Sequence, residues 1–71
     1  MDWKIWYRSL TSAERDAYAE RAGTKRTYIE TKLIFRKAIP RPELMQKLAD
    51  ASLGRVRYDD LVRFFYAKEA A

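Results

Sequence analysis

The sequence predicts an all-α fold of five helices packed as one compact bundle. Three observations support this prediction: apolar residues recur at helical spacing, residues that favour N-caps precede these segments, and Gly or Pro lies between them. The chain of 71 residues is long enough for one small domain, and its 48% apolar residues indicate a folded chain and not a disordered one. We assign the domain to residues 1–67 and expect residues 68–71 to fray.

The first two helices are predicted from capping residues and apolar stripes. Asp2 is placed to cap a helix whose apolar residues follow at i, i+3, i+4 and i+7, namely Trp3, Trp6, Tyr7 and Leu10. The second helix begins at the T-x-x-E capping box Thr11-Ser12-Ala13-Glu14 and ends at Gly23, a residue that readily takes the left-handed backbone conformation.

The third helix is predicted to begin at Thr24 or Lys25 and to end near Phe35. Its inward face consists of Tyr28, Ile29 and Leu33. A connector follows, because prolines at 40 and 42 disfavour helical angles in the residues that precede them.

The last two helices follow the connector. Pro42 suits the first turn of the fourth helix, and Gly54 is expected to stop that helix, with Val56 packing behind it as in a Schellman motif. The fifth helix begins with Asp59 and Asp60. The expected apolar stripes are Leu44, Leu48 and Ala51 with Met45 alongside in the fourth helix, and Leu61, Phe64 and Phe65 in the fifth.

The excess charge of the chain lies in one segment, residues 24–41, which we call the basic segment. It contains one acid, Glu30, and six basic residues: Lys25, Arg26, Lys32, Arg36, Lys37 and Arg41. Its charge of +5 equals the formal net charge of the whole chain, because the other nine Lys and Arg are balanced by nine Asp and Glu. With a pI near 9.7, the chain favours an anionic partner such as nucleic acid.

Several classes of function are disfavoured by composition. The chain contains neither His nor Cys, so the commonest general base, metal ligand and thiol nucleophile are missing. Two close carboxylate pairs, Asp16 with Glu20 and Asp59 with Asp60, are better explained as surface charge and as compensation of a helix dipole. We therefore expect no enzyme, no catalytic residue, no metal, no cofactor and no small-molecule substrate. No apolar run approaches the roughly 20 residues that span a membrane.

The second and third helices are joined by a glycine turn too short for an antiparallel hairpin. A small residue in the first helix, a glycine in the turn and a β-branched residue in the second helix are typical of a helix-turn-helix. Here those residues are Ala19, Gly23 and Ile29, and Leu33 completes the predicted core of the motif.

From Leu10 to Val62 the chain resembles the Cro/YdaS-like helix-turn-helix regulators of phages and prophages. The most specific part of the resemblance is P-x-P-E-L followed by G-x-V. The matching residues are Tyr18, Ala19, Arg21, Gly23, Tyr28, Ile29, Pro40, Pro42, Glu43, Leu44, Leu48, Ser52, Gly54, Val56 and Leu61. The resemblance implies a compact five-helix domain of the lambda-repressor/Cro-like type, acting in the bacterial cytoplasm and encoded by a phage or prophage.

The chain departs from this pattern near the end of the third helix. Lys32 stands where relatives have an apolar residue, and the connector that follows Tyr28 is about one residue longer. If the helix is overwound or bulged there, Leu33 or Ile34 takes the anchoring place.

The resemblance implies a sequence-specific DNA-binding transcriptional regulator, a Cro-type repressor whose third helix, about 25–35, reads the major groove. The residues carried over as base contacts are Lys25, Arg26, Thr27, Glu30 and Thr31. The expected phosphate contacts are Thr11, Ser12, Lys32, Arg36, Lys37 and Arg41.

Double-stranded operator DNA is the expected partner. One such helix reads only a few base pairs, so we also expect a weak homodimer, formed on DNA. Its surface would be apolar material beyond the needs of the core, either Val62, Phe64, Phe65 and Tyr66 in the last helix or Trp3 and Trp6 in the first, although a chain this small needs its aromatic residues for its own core. The alternatives are an antitoxin that represses its own operon and, less favoured, a helical protein–protein interaction module with a basic patch.

Overall fold

The computed structural model describes residues 1–66, and within this range the regular structure is helical. The elements are α1 (Trp3–Arg8), α2 (Ser12–Ala22), α3 (Arg26–Tyr28), α4 (Pro42–Ala51) and α5 (Tyr58–Tyr66). A π-helical segment, Ile29–Leu33, continues α3 without a break. The all-α prediction is thus confirmed for residues 1–66, whereas the expected fraying of residues 68–71 lies outside the described residues.

The predicted caps of the first two helices are present. An Asp2 carboxylate oxygen accepts a hydrogen bond from the Ile5 amide at 2.9 Å. In the capping box, the Glu14 amide donates to Thr11 Oγ1 at 3.2 Å and the Thr11 amide donates to Glu14 Oε1 at 2.8 Å. Each N-cap satisfies amides that a helix start leaves without intrahelical partners, so these starts follow from local sequence.

Gly23 ends α2 in the left-handed conformation, with φ of 72°. The Gly23 amide donates to the carbonyl of Glu20 and the Thr24 amide to the carbonyl of Ala19, both at 3.0 Å. These two bonds form the Schellman arrangement, which reverses the chain within one residue of the helix. Three residues after Gly23, α3 begins at Arg26.

The third helix is shorter than predicted and not α-helical throughout. It ends at Leu33, so Phe35 lies beyond it in the following turn. The Ile34 amide donates to the carbonyl of Ile29 at 2.9 Å, an i to i−5 bond that accommodates one extra residue. Leu33 and Ile34 are both buried while Lys32 is exposed, so the bulged alternative is the one observed.

The end of α4 corrects a second prediction. The helix stops at Ala51, and both Leu53 (φ 57°) and Gly54 (φ 88°) have left-handed backbone angles. Gly54 therefore lies in the loop and does not directly follow the helix. Val56 is buried behind this loop as expected, and Ser52 Oγ accepts from the Val56 amide at 3.0 Å.

The core is formed where α2 packs against α4, and α1 and α4 pack against α5. Trp3 is fully buried, and its indole Nε1 donates to the Tyr18 hydroxyl at 2.9 Å, which in turn donates to the carbonyl of Leu48 at 2.8 Å. Because a buried indole needs a hydrogen-bond partner, this relay ties α1 to α2 and α4. Of the residues considered for a dimer surface, Trp3, Trp6, Phe64 and Phe65 are buried within the chain, whereas Val62 is partly buried and Tyr66 is 57% exposed.

Candidate nucleic-acid interface

The basic segment presents most of its predicted contact residues to solvent. Lys25 precedes α3 in an extended conformation and makes no side-chain cap. Thr31 Oγ1 donates to the carbonyl of Thr27 at 2.6 Å, so the Thr31 methyl group and the oxygen lone pairs remain for an outside contact. The exposed predicted residues of this segment are Lys25, Thr27, Thr31, Lys32, Arg36, Lys37 and Arg41.

Arg26 is held against the surface of the protein by three neighbouring residues. Its Nε donates to Glu30 Oε2 at 2.9 Å, one turn further along the helix. Its Nη1 donates to Ser12 Oγ at 2.7 Å and to Asp16 Oδ1 at 3.2 Å. The Arg26 guanidinium thus fastens the start of α3 to the first turns of α2.

Glu30 receives two further donors from other helices. The Tyr7 hydroxyl donates to Glu30 Oε2 at 2.9 Å, and Arg15 Nη1 lies 3.4 Å from the same oxygen. Partial burial alone would raise the pKa of the Glu30 carboxyl, but the Arg26 and Tyr7 hydrogen bonds and the nearby Arg26 and Arg15 charges outweigh it, so this pKa lies below its ordinary value. The pKa of the Tyr7 phenol is raised, mainly because the group is partly buried and secondly because it donates a hydrogen bond to Glu30.

We call this cluster the Arg26–Glu30 network; it consists of Tyr7, Ser12, Arg15, Asp16, Arg26 and Glu30. It joins α1, α2 and α3 at one point. Within the basic segment, Arg26 and Glu30 neutralise each other, and five basic residues remain. The charge of +5 is therefore carried by Lys25, Lys32, Arg36, Lys37 and Arg41.

Arg36 anchors the connector as well as adding charge to it. It adopts a left-handed backbone conformation, with φ of 54°, directly after the buried Ile34 and the exposed Phe35. Its Nε donates to the carbonyl of Phe64 at 2.6 Å, and its guanidinium carbon lies 4.2 Å from the centroid of the Phe64 ring. Replacing Arg36 would therefore disturb packing against α5 together with any phosphate contact.

The predicted phosphate contacts at the start of α2 are already bonded within the protein. Thr11 uses its hydroxyl oxygen and its amide in the capping box with Glu14, whose carboxylate places negative charge at this helix start. Ser12 accepts from Arg26 through both its hydroxyl and its carbonyl oxygen. A phosphate here would have to compete with these bonds.

The residues predicted as the core of the turn come together in the structure. Ala19, Ile29 and Leu33 are buried in one apolar cluster, and Gly23 makes the turn between the first two. Lys32 and Thr31 consequently lie on the solvent side of the π-helical segment, while Leu33 lies on the core side.

Of the two carboxylate pairs noted in the sequence, Asp16, Asp59 and Asp60 make contacts within residues 1–66. Asp16 accepts from Arg26, Asp59 lies 3.8 Å from Arg63, and Asp60 accepts from the Arg57 amide at 2.9 Å. Residues 1–66 contain no group of three or more potential metal ligands. Among the same residues, no helix has the length and apolar character required to cross a bilayer.

Sequence reasoning missed the partners of the Arg26–Glu30 network. The spacing of Arg26 and Glu30 is that of an i,i+4 ion pair, so this one contact could have been inferred from the sequence. The contribution of Tyr7 could not, because it lies 23 residues from Glu30 and meets it only through the packing of α1.

Comparisons with known proteins add no relative: the chain matches no known protein family, no curated protein and no solved structure.

Proposed function

We propose that this protein is a sequence-specific DNA-binding transcriptional regulator of the Cro/YdaS helix-turn-helix type. The observation that supports this function most strongly is the location of the net charge. All +5 of it can be assigned to exposed side chains on α3, the π-helical segment and the connector behind them. Positive charge concentrated on one helix and its adjoining loop is the electrostatic pattern of proteins that bind the DNA backbone.

In this proposal α2, the turn at Gly23 and α3 with its π-helical continuation constitute the helix-turn-helix. Support comes from the left-handed Gly23, from the buried Ala19 and Ile29 on either side of it, and from the short passage to Arg26. The exposed surface of α3 would then enter the major groove with its N-terminal residues on base edges.

Base reading is assigned to the exposed residues Lys25, Thr27 and Thr31. Lys25 can donate to guanine O6 and N7, and the threonine methyl groups can contact thymine. Arg26 and Glu30 are assigned the role of holding α3 in place, because base contact by either would cost the bonds they make to each other and to α2.

Phosphate contacts are assigned to Lys32, Lys37 and Arg41, with Arg36 supporting the connector on which two of them lie. Such contacts add affinity and fix the register on the duplex without reading sequence. Apart from Tyr28, the exposed surface of α3 and the π-helical segment is mixed polar, which favours DNA over a protein-binding groove lined by several large apolar anchors.

The proposal is tested by selecting duplexes from a random-sequence pool and titrating the selected and bulk DNA at two salt concentrations. Lys25→Ala should reduce the ratio of selected to bulk affinity, since each good base contact contributes about 1–3 kcal/mol of discrimination. Lys37→Ala should weaken both DNA classes by the same factor, and Arg57→Ala is the charge-matched control outside the basic segment. If no selected sequence binds more tightly than bulk DNA, the regulator function is wrong.

A further inference from the structure

A groove between α1, α2 and the loop after α4 lies outside the basic segment. It is an open groove of about 720 Å³. Its lining is largely apolar on the α1 and loop sides, through Ile5, Leu10 and Leu53. We call it the α1–α2 groove.

Two large aliphatic side chains beside this groove are exposed to solvent and do not belong to the core. Ile5 is 70% exposed and Leu53 is 75% exposed. Leu53 also holds a left-handed backbone angle, φ of 57°, which costs a residue with a Cβ about 1–2 kcal/mol relative to an ordinary conformation. Ile5 and Leu53 thus add exposed apolar surface on two sides of the groove, which a second molecule could cover.

The α2 wall of the groove carries a self-complementary pattern. Glu14, Ala17 and Arg21 follow one another at i, i+3 and i+7, so they form one stripe along α2, with an acid at one end and a base at the other. The alanine between them is small enough to let a second helix approach closely. Glu14 uses Oε1 in the capping box and Arg21 uses Nε on the carbonyl of Ala51, which leaves a carboxylate oxygen and both terminal guanidinium nitrogens for a partner.

We infer that the α1–α2 groove is the interface with a second copy of this chain. A twofold axis through Ala17 runs the two α2 helices antiparallel, so that Glu14 of each copy meets Arg21 of the other. Ile5 and Leu53 then cover the partner helix from the two sides. Such an interface is isologous, the same patch being used by both copies.

The interface leaves the basic segment uncovered. At about 100° per residue, the stripe lies on roughly the opposite side of α2 from Ser12 and Asp16, the residues that hold Arg26. The dimer therefore forms without DNA, and the inference does not rest on the proposed function. Eleven residues line the groove, against about 20–30 per side in a standard interface, so the dimer is a weak one.

The chain contains no cysteine, so a single introduced thiol reports the interface directly. Ala17→Cys should yield a disulfide-linked dimer under mild oxidation, because helices that cross at this residue bring two Cα atoms within the 4.4–6.8 Å or so that a disulfide spans. Glu20→Cys, exposed on the same helix but off the stripe, is the matched control. Cross-linking that is no faster for Ala17→Cys than for Glu20→Cys overturns the inference.

Sedimentation over a range of chain concentrations gives the second measurement. The unmodified chain should pass from monomer to dimer, while Ile5→Asp and Leu53→Asn should remain monomeric. Both sites are exposed, and Asn tolerates the left-handed angle better than Leu, so both variants should keep the helical circular dichroism. A chain that stays monomeric throughout, or one that dimerises equally well in all three forms, contradicts a second copy as occupant. Duplex titration of the same variants reports separately on the proposed function.

Discussion

At the residue scale, Arg26 and Glu30 show how charges at the start of the proposed recognition helix can stabilise the fold. Arg26 reaches back to Ser12 and Asp16 on α2, and Glu30 receives Tyr7 from α1. A guanidinium with three acceptors in fixed positions orients the first turn of α3 against the helices beneath it. The effect on any base reading is indirect, through the position of Lys25 and Thr27.

Arg26→Ala is expected to lower the free energy of unfolding more than Lys25→Ala does. Hydrogen bonds between charged groups are stronger than those between neutral groups, although the exposure of this network to solvent limits their contribution. Lys25→Ala, which removes a neighbouring exposed charge, should stay within about 0.5 kcal/mol of the unmodified chain. Urea unfolding followed by circular dichroism measures both, and equal stability of the two variants would show that the network contributes nothing.

The network should also make stability depend on pH through Glu30. Its pKa in the folded protein is below the ordinary value of about 4.3, so its ionised form is favoured by folding. The resulting stabilisation is complete above that ordinary value and is lost as the pH falls through it toward the lower folded value. The unmodified chain should therefore be more stable than Glu30→Gln near about pH 6, with the gap closing as the pH falls below the lowered pKa of Glu30 in the folded protein.

Urea unfolding at a series of pH values tests this expectation. Glu14 and Asp60 also have lowered pKa values, and the first cause in each is a backbone hydrogen bond. Protonation of these two carboxylates at low pH therefore also lowers the free energy of unfolding. Only the difference in the free energy of unfolding between the unmodified chain and Glu30→Gln reports on Glu30 alone. Glu20→Gln, which removes a carboxylate that forms no ion pair within residues 1–66, is the control, and a gap that stays constant with pH refutes the assignment.

At the element scale, the helices that follow local rules are the ones that the sequence predicted well. Asp2, the Thr11–Glu14 box and Gly23 act on backbone groups within a few residues, and all three are found as expected. The sequence predicted the bulge in the third helix only as one of the alternatives. Whether residue 32, 33 or 34 faces the core depends on what α3 packs against, and helical spacing alone does not contain that information.

Gly23→Ala should destabilise the protein by about 1–2 kcal/mol. A Cβ at this position would meet no atom within 4 Å, so the cost comes from the left-handed backbone angle and not from a clash. Gly23→Asn should cost less, because Asn enters this region more readily. Thermal and urea unfolding of the two variants give the comparison, and a loss as large for Asn as for Ala would point to the space around the residue and not to its backbone angle.

At the scale of the whole molecule, the sequence pattern predicted the all-α class and located the excess charge, but it did not show how that charge is divided between ion pairs and free side chains. Ten of the fifteen Lys and Arg are offset by acids, and the sequence cannot say which basic residue pairs with which acid across the fold. In the structure Arg26 pairs with Glu30, and Arg36 contacts Phe64, which lies 28 residues further along the chain. Such contacts between distant residues are fixed by packing, so two of the six basic residues of the segment acquired structural roles that sequence reasoning did not assign.

This division predicts how DNA affinity should depend on salt. With Lys32, Lys37 and Arg41 assigned to phosphates, the logarithm of affinity for bulk duplex should fall against the logarithm of salt with a slope of about −2.7, or −0.9 per contact. Lys37→Ala should make the slope shallower by about 0.9, and Arg57→Ala should leave it unchanged. Arg26→Ala distinguishes the two roles of that residue. Because its charge is already met by Glu30 and Asp16, the slope should change far less than in Lys37→Ala, and a full unit of change would place Arg26 on a phosphate.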